Sequence, residues 1–290
     1  MRYFVIFSLL LASCFYIGCK PDPISDTLDS HNNKVLHLTG YEHSRPSIVH
    51  LPEALAEISG IIFYPKDSSI LCVDDDRGSL YKFPLYKRKV LQDWPFSAEG
   101  DFEEIVLQDS IFYALKSNGD ITRFYFDKKG TVVADKFASG LSIQSREFES
   151  MVYDTTRKLL LLTCKDCKDD LKNNSSVWGV DFARKVMLPT PVFVIQHTQI
   201  EALLGKKISK FKPSSMAIHP LTGDFYFVSA INNLIVVTDR DGVVKELTVT
   251  SKKYFKQPEG LAFLPNGDLL ISNEFADRGR ATLLLYPYKK

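Results

Sequence analysis

The sequence predicts an all-β protein, a β-propeller of five four-stranded blades, and three observations predict it. One apolar motif recurs five times along the 290 residues, evenly spaced but for one longer interval. Each recurrence is followed by further apolar runs separated by Gly, Asn and Asp turns. The fifth recurrence lacks a fourth strand, which an apolar run ahead of the first motif can supply.

The motif reads "ISGIIFYP" (58–65), "FEEIVLQD" (102–109), "FESMVYDT" (148–155), "PSSMAIHP" (213–220) and "PEGLAFLP" (258–265), with starts 44, 46, 65 and 45 residues apart. Second strands follow as "ILCVD", "IFYALK", "LLLLTC", "FYFVSA" and "LLISN", and third strands as "LYKFPL", "ITRFYF", "VWGVDF", "LIVVTD" and "TLLLYPY". Turns such as "SNGD", "LTGD" and "PNGD" stand between them, and Asn-Gly steps flanked by apolar runs are strong hairpin signals. In the first four repeats a charged turn ("YKRK", "DKKG", "FARK", "DRDG") introduces a fourth strand. The long third interval contains "QHTQIEALLGKKISKF", whose middle reads as a short helix. "PSIVHL" (46–51) stands where a closing strand for the last blade is needed, and closure would also remove exposed edges. A sixth, degenerate blade within 170–212 is the alternative count.

Residues 1–18 read as a signal peptide of the lipoprotein type: Arg2 gives a positive start, and an apolar stretch follows without a positive stop-transfer flank. Cys19 is the expected lipid attachment point, because cleavage before it leaves the polar tether "CKPDPISDTLDSHNN". Cys14 has the better lipobox letters and is the alternative, and an ordinary cleaved signal is a third reading. The domain organisation is therefore signal 1–18, lipidated Cys and tether 19–45, and a single propeller domain 46–290. The expected location is a bacterial membrane, on its periplasmic face or at the cell surface, and a monomer is expected. Charge is balanced, 36 Lys plus Arg against 35 Asp plus Glu, which excludes the basic footprint of a nucleic-acid binder. "CKDC" places Cys164 and Cys167 at disulfide-compatible spacing in an exported protein, while the partners of a zinc or haem site are missing.

In a propeller the first strand of every blade lines a central channel. The equivalent position carries Ser59, Glu103, Glu149, Ser214 and Glu259 in the five motifs. Three carboxylates facing one another would oppose folding unless something offsets them. A hard cation, Ca2+, held by oxygen ligands is one resolution; Lys, Arg, ordered water or protonation is the other. "VDDDRG" adds Asp74, Asp75 and Asp76, and "ISNEFADRG" adds Asn273 and Glu274 from the equivalent loop of the last blade. Closure would make these loops neighbours and join them into a second polar patch. His219, in "AIHPLTGD", is expected to pack at a turn.

The ordered series Ser, Glu, Glu, Ser, Glu at the channel position, with "ISNE" after "PEGLAF", resembles the SdiA-regulated family of bacterial β-propellers over about residues 46–288. The resemblance implies an exported or membrane-associated propeller with calcium as a candidate ligand and no established catalytic activity. No GxSxG elbow, HExxH helix, Walker loop or dinucleotide fingerprint is present. The sequence thus supports a membrane-anchored module binding a small molecule, glycan or protein. The alternative is a calcium-dependent hydrolase of lactones or phosphoesters, and a purely structural role for the glutamates is a third reading.

Overall fold

A computed structural model describes residues 36–41, 45–86, 91–138, 146–168, 170, 172–275 and 280–289. All fall within one compact unit, Asn33–Lys290. The expected signal segment, Cys14 and Cys19 lie outside the described residues.

Each motif opens an antiparallel sheet. Blade 1 is β2 (Ile58–Tyr64), β3 (Ser69–Asp74), β4 (Ser79–Pro84) and β5 (Gln92–Pro95). Blade 2 is β6 (Phe102–Gln108), β7 (Ile111–Lys116), β8 (Ile121–Phe126) and β9 (Val132–Ala138). Blade 3 runs through β10 (Arg146–Asp154), β11 (Leu159–Cys167) and β12 (Asn174–Asp181). Its outer strand comes in two pieces, β13 (Val186–Met187) and β14 (Phe193–Gln196), which pair with opposite ends of β12. Pro189 and Pro191 fall in the gap; a proline cannot donate to a ladder, so the edge strand breaks there. Helix α1 (His197–Leu204) follows β14 and accounts for the long third interval, and the described residues of 170–212 hold no sixth blade.

Blade 4 is β15 (Ser215–Ile218), β16 (Phe225–Ser229), β17 (Leu234–Thr238) and β18 (Val244–Val249). Blade 5 is β19 (Pro258–Phe263), β20 (Leu269–Asn273) and β21 (Thr282–Tyr286), completed by the N-terminal β1 (Ser47–His50). The register runs Ser47 opposite Leu285 to His50 opposite Thr282. The ring is thus five-bladed and closed by the N-terminal strand. Gly119 and Gly267, in the "SNGD" and "PNGD" turns, take φ of 87° and 94°, a region open chiefly to glycine.

First strands neighbour one another around the axis in the order β2, β6, β10, β15, β19 and back to β2. Between each adjacent pair of blades lies one apolar cluster. The alternating apolar faces of the strands are buried against the next blade, which is why each repeat needs neighbours to fold. Residues 36–41, within the stretch read as a tether, dock on blades 4 and 5. Leu36, Leu38 and Tyr41 are buried in the cluster between those blades, and the Tyr41 hydroxyl donates to the Gly267 carbonyl at 2.5 Å.

Candidate functional site: the acidic channel mouth

Four of the five first strands begin with a shared irregularity; β15 pairs in regular register from Ser215. Pairing steps from Phe102 opposite Lys116 to Glu104 opposite Leu115, from Phe148 opposite Cys164 to Ser150 opposite Thr163, and from Pro258 opposite Asn273 to Gly260 opposite Ser272. Glu103, Glu149 and Glu259 are each the unpaired extra residue of a β-bulge. Blade 1 has the same step across Ser59 and Gly60. A bulge interrupts the strict in–out alternation, so two successive residues can both turn inward. Two polar layers result, where the sequence reading expected one.

The outer layer sits at the mouth. Glu149 and Glu259 lie close enough to add to the raised pKa of Glu103, Glu149 adds likewise to that of Glu259, and Ser214 hydrogen-bonds Glu259. Burial, then the Glu149 charge, pushes Glu259 up to about 7. Burial, with Glu149, Asp101 and Glu259, holds the Glu103 carboxyl far above the usual carboxylate range, and it shares a hydrogen bond with Asp101. Ser59 is buried at its own bulge, where its carbonyl accepts from the Ser272 hydroxyl at 3.3 Å.

A cation the sequence reading missed stands in this layer. Lys165 Nζ lies 2.9 Å from Glu149 Oε1 and 3.7 Å from Glu147 Oε1. Burial alone would lower its pKa, but the Glu149, Glu147 and Glu259 carboxylates outweigh this and keep the ammonium charged. Lys165 is itself an extra residue, between Cys164 opposite Phe148 and Asp166 opposite Glu147. The Cys164–Cys167 disulfide, with Cα atoms 5.8 Å apart, spans that kink. The only sequence signal for it is a lysine between the two cysteines of CKDC.

The loops after β3 and β20 do meet, as closure requires, but only part of the second patch converges. Carboxylate oxygens of Glu57, Asp75 and Glu274 all lie within 4.8 Å of one another. Glu57, in the turn before β2, was not anticipated. Asp75 donates its backbone N–H to the Glu57 carbonyl at 3.2 Å, and Phe275 donates to the Ala56 carbonyl at 2.8 Å, so the two loops are stitched together. Burial, then Glu259 and Glu57, raises Glu274, which also accepts a hydrogen bond from Gln257 Nε2. Asp75 is pushed up to about 6 by burial and by Asp76 and Glu57, and its buried Oδ1 has no hydrogen-bond partner among the described residues.

The remaining members have other tasks. Asp74 is fully buried and forms a 2.6 Å ion pair with Arg77, which also donates to the Ala54 carbonyl. Asp76 is exposed and anchors the loop, its carbonyl accepting from Gly100 N–H at 3.1 Å. Asn273 donates to Thr282 Oγ1 at 3.2 Å, while its buried Oδ1 is unpartnered among the described residues.

The inner layer, one residue further along each motif, reads Gly60, Glu104, Ser150, Ser215 and Gly260. Glu104 is 2% exposed and spans the axis alone. Its Oε2 accepts from Ser215 Oγ at 3.1 Å and Ser150 Oγ at 3.2 Å, and its Oε1 from the Ile105 N–H at 3.0 Å. The two serines in turn accept the Leu261 and Met216 N–H groups at 3.1 and 2.7 Å. A Cβ on Gly60 would collide with the Glu104 carboxylate and come within 2.5 Å of its Cα. One long acidic side chain therefore plugs a narrow axis lined by small residues. Burial pushes it up to about 8, against the three hydrogen bonds that lower it. Beyond this plug the first strands of all five blades line an apolar cavity of about 240 Å3 at the opposite end.

His219 lies elsewhere, buried among Tyr41, Tyr226, Phe263 and Tyr288, with Nδ1 accepting the Leu221 and Thr222 N–H groups of its turn. It packs at the turn, away from the acidic mouth.

Fold and site together define a five-bladed propeller with an acidic mouth above a plugged channel. No family model and no curated protein matches the chain. Among solved structures it is similar to a gluconolactonase from Xanthomonas campestris, with TM-score 0.52 and 10% identity, covering 84% of this chain and 90% of that one. It is also similar to a luciferin-regenerating enzyme, with TM-score 0.51 and 10% identity over 83% of this chain and 95% of the other. At such identity the likeness shows the propeller fold alone.

Proposed function

We propose that this chain is an exported, lipid-anchored propeller of the SdiA-regulated type that binds calcium at its acidic mouth and presents that face to a ligand or partner. The observation that carries the reading is the convergence of Glu57, Asp75 and Glu274 within 4.8 Å. That spacing suits a common cation, since Ca–O distances are about 2.3–2.6 Å. The donors are all hard oxygens, which favours Ca2+ over softer transition metals. Asp75 Oδ1, buried and unpartnered among the described residues, is a ready ligand atom, and a cation would offset the burial and the added carboxylate repulsion that raise Glu274 and Asp75.

Titration calorimetry on chelator-treated protein tests this. One Ca2+ should bind per chain, and Glu274→Gln or Asp75→Asn should each weaken it at least about tenfold, about 1.4 kcal/mol. Heats unchanged by both substitutions would overturn the site. Anchoring rests on Cys19, with Cys14 as the alternative. Cys19→Ser should move the protein from the detergent phase to the aqueous phase, and retention would transfer the assignment to Cys14.

A second reading, a calcium-dependent hydrolase of lactones or phosphoesters, is favoured by one observation. Glu103 is held neutral and hydrogen-bonded to Asp101 at the same mouth, a carboxylic acid able to deliver a proton to a leaving group. A bound cation would supply polarisation of a substrate oxygen. Calcium-dependent turnover of gluconolactone that Glu103→Gln abolishes would establish this reading; no turnover with intact calcium binding would leave the binding module.

A further inference from the structure

A second cavity, about 410 Å3, opens between blades 1 and 2 and takes no part in the acidic mouth. Its floor is the apolar cluster shared by these blades, with Leu71, Leu80 and Phe112 buried. Its walls are partly exposed aromatic rings. Trp94, on the four-residue strand β5, stands opposite Leu80 and meets Phe126 of blade 2 edge-on, with centroids 5.3 Å apart and planes at 79°. Phe126 in turn meets Phe112 edge-on at 6.0 Å. Tyr64, at the end of β2, completes the apolar surface. Rings held so by their neighbours form a preset platform for another flat π system.

The rim carries charge. Lys82 Nζ lies 5.2 Å and Lys66 Nζ 5.7 Å from the centre of the Tyr64 ring. Lys82 also pairs with Asp67, which does not line the cavity. Lys66 is exposed and carries its ammonium over the ring at the entrance. Asp109 and Ser110 line the cavity from blade 2, an acceptor and a hydroxyl for a donor group on a ligand ring. Apolar walls with a few fixed polar groups are the usual composition of a small-molecule site.

The geometry points to a binding site for a small, flat aromatic anion, its ring against Trp94, Phe126 and Tyr64 and its acid group facing Lys66 and Lys82. Nothing in this site involves the calcium reading, and the two stand or fall separately.

The chain has two tryptophans, so Trp178→Phe leaves Trp94 as the sole indole reporter. The probe is 1-anilinonaphthalene-8-sulfonate, compared with its uncharged relative N-phenyl-1-naphthylamine. The sulfonate should bind saturably at one site and quench Trp94. Lys66→Glu, at an exposed position, should weaken the sulfonate at least about tenfold and leave the uncharged probe unchanged. Trp94→Ala should weaken both, with melting curves confirming that each variant is folded. Non-saturable binding, an unmoved Trp94 signal, or equal sulfonate affinity in Lys66→Glu would overturn the assignment.

Discussion

Glu104 decides the centre of the molecule with one side chain. Gly60, Ser150, Ser215 and Gly260 leave room on the axis for a single long residue, and blade 2 supplies it. Gly60→Ala should therefore cost about 2 kcal/mol or more, since the backbone and carboxylate of Glu104 are both in the way of the new methyl; a denaturant titration measures it. Below its unfolded pKa Glu104 is neutral whether folded or unfolded. Between that value and about 8 only the folded state holds the proton, so stability falls as pH rises through this window, by about 1.4 kcal/mol per pH unit for one group. Glu104→Gln should flatten that slope relative to wild type, read from melts across pH 5–8. The ring positions Glu103, Glu149 and Glu259 were legible because the motifs repeat. Glu104 was not, because strand alternation turns the residue after an inward one outward, and only the bulge overrides that rule. Glu57 and Lys165 were hidden for a related reason: each belongs to a turn or kink whose direction depends on tertiary contacts.

At the level of elements, hairpin chemistry made the blades readable. Asn-Gly turns, apolar runs of strand length and the missing fourth strand of the last repeat all point to β1 pairing with β21. Each of the four β1 residues finds its partner on β21. Deleting the chain up to His50 should leave the β21 edge open and also remove the Leu36, Leu38 and Tyr41 contacts. The expected outcome is a lowered melting temperature together with concentration-dependent self-association by light scattering. A truncated protein that melts like the full chain and stays monomeric would contradict strand closure as a stabilising device. The split outer strand of blade 3 was harder to foresee. Its two prolines signal an interruption, but the resumption of pairing at Phe193 depends on the partner β12. The docking of residues 36–41 was likewise obscured by the polar composition around them.

For the whole molecule, the governing feature is the uneven distribution of charge. The chain is nearly neutral, yet Glu57, Asp75, Asp101, Glu103, Glu147, Glu149, Glu259 and Glu274 crowd one mouth around Lys165. Burial and mutual repulsion raise Asp75, Glu103, Glu149, Glu259 and Glu274, so folding takes up protons there. Metal-free protein should accordingly be more stable at mildly acidic pH than at pH 9, opposite to the trend set by paired surface carboxylates such as Asp135 and Asp166. Calcium at the mouth would replace those protons and restore stability at higher pH. The most direct test is a thermal melt of chelator-treated protein at neutral pH with and without Ca2+, in wild type and Glu274→Gln. A cation bound by the folded state alone raises the melting temperature in proportion to ln(1 + [Ca2+]/Kd). The melting temperature should rise with Ca2+ in wild type and not in Glu274→Gln; the same melting temperature with and without calcium in wild type would mean that the folded mouth holds no calcium.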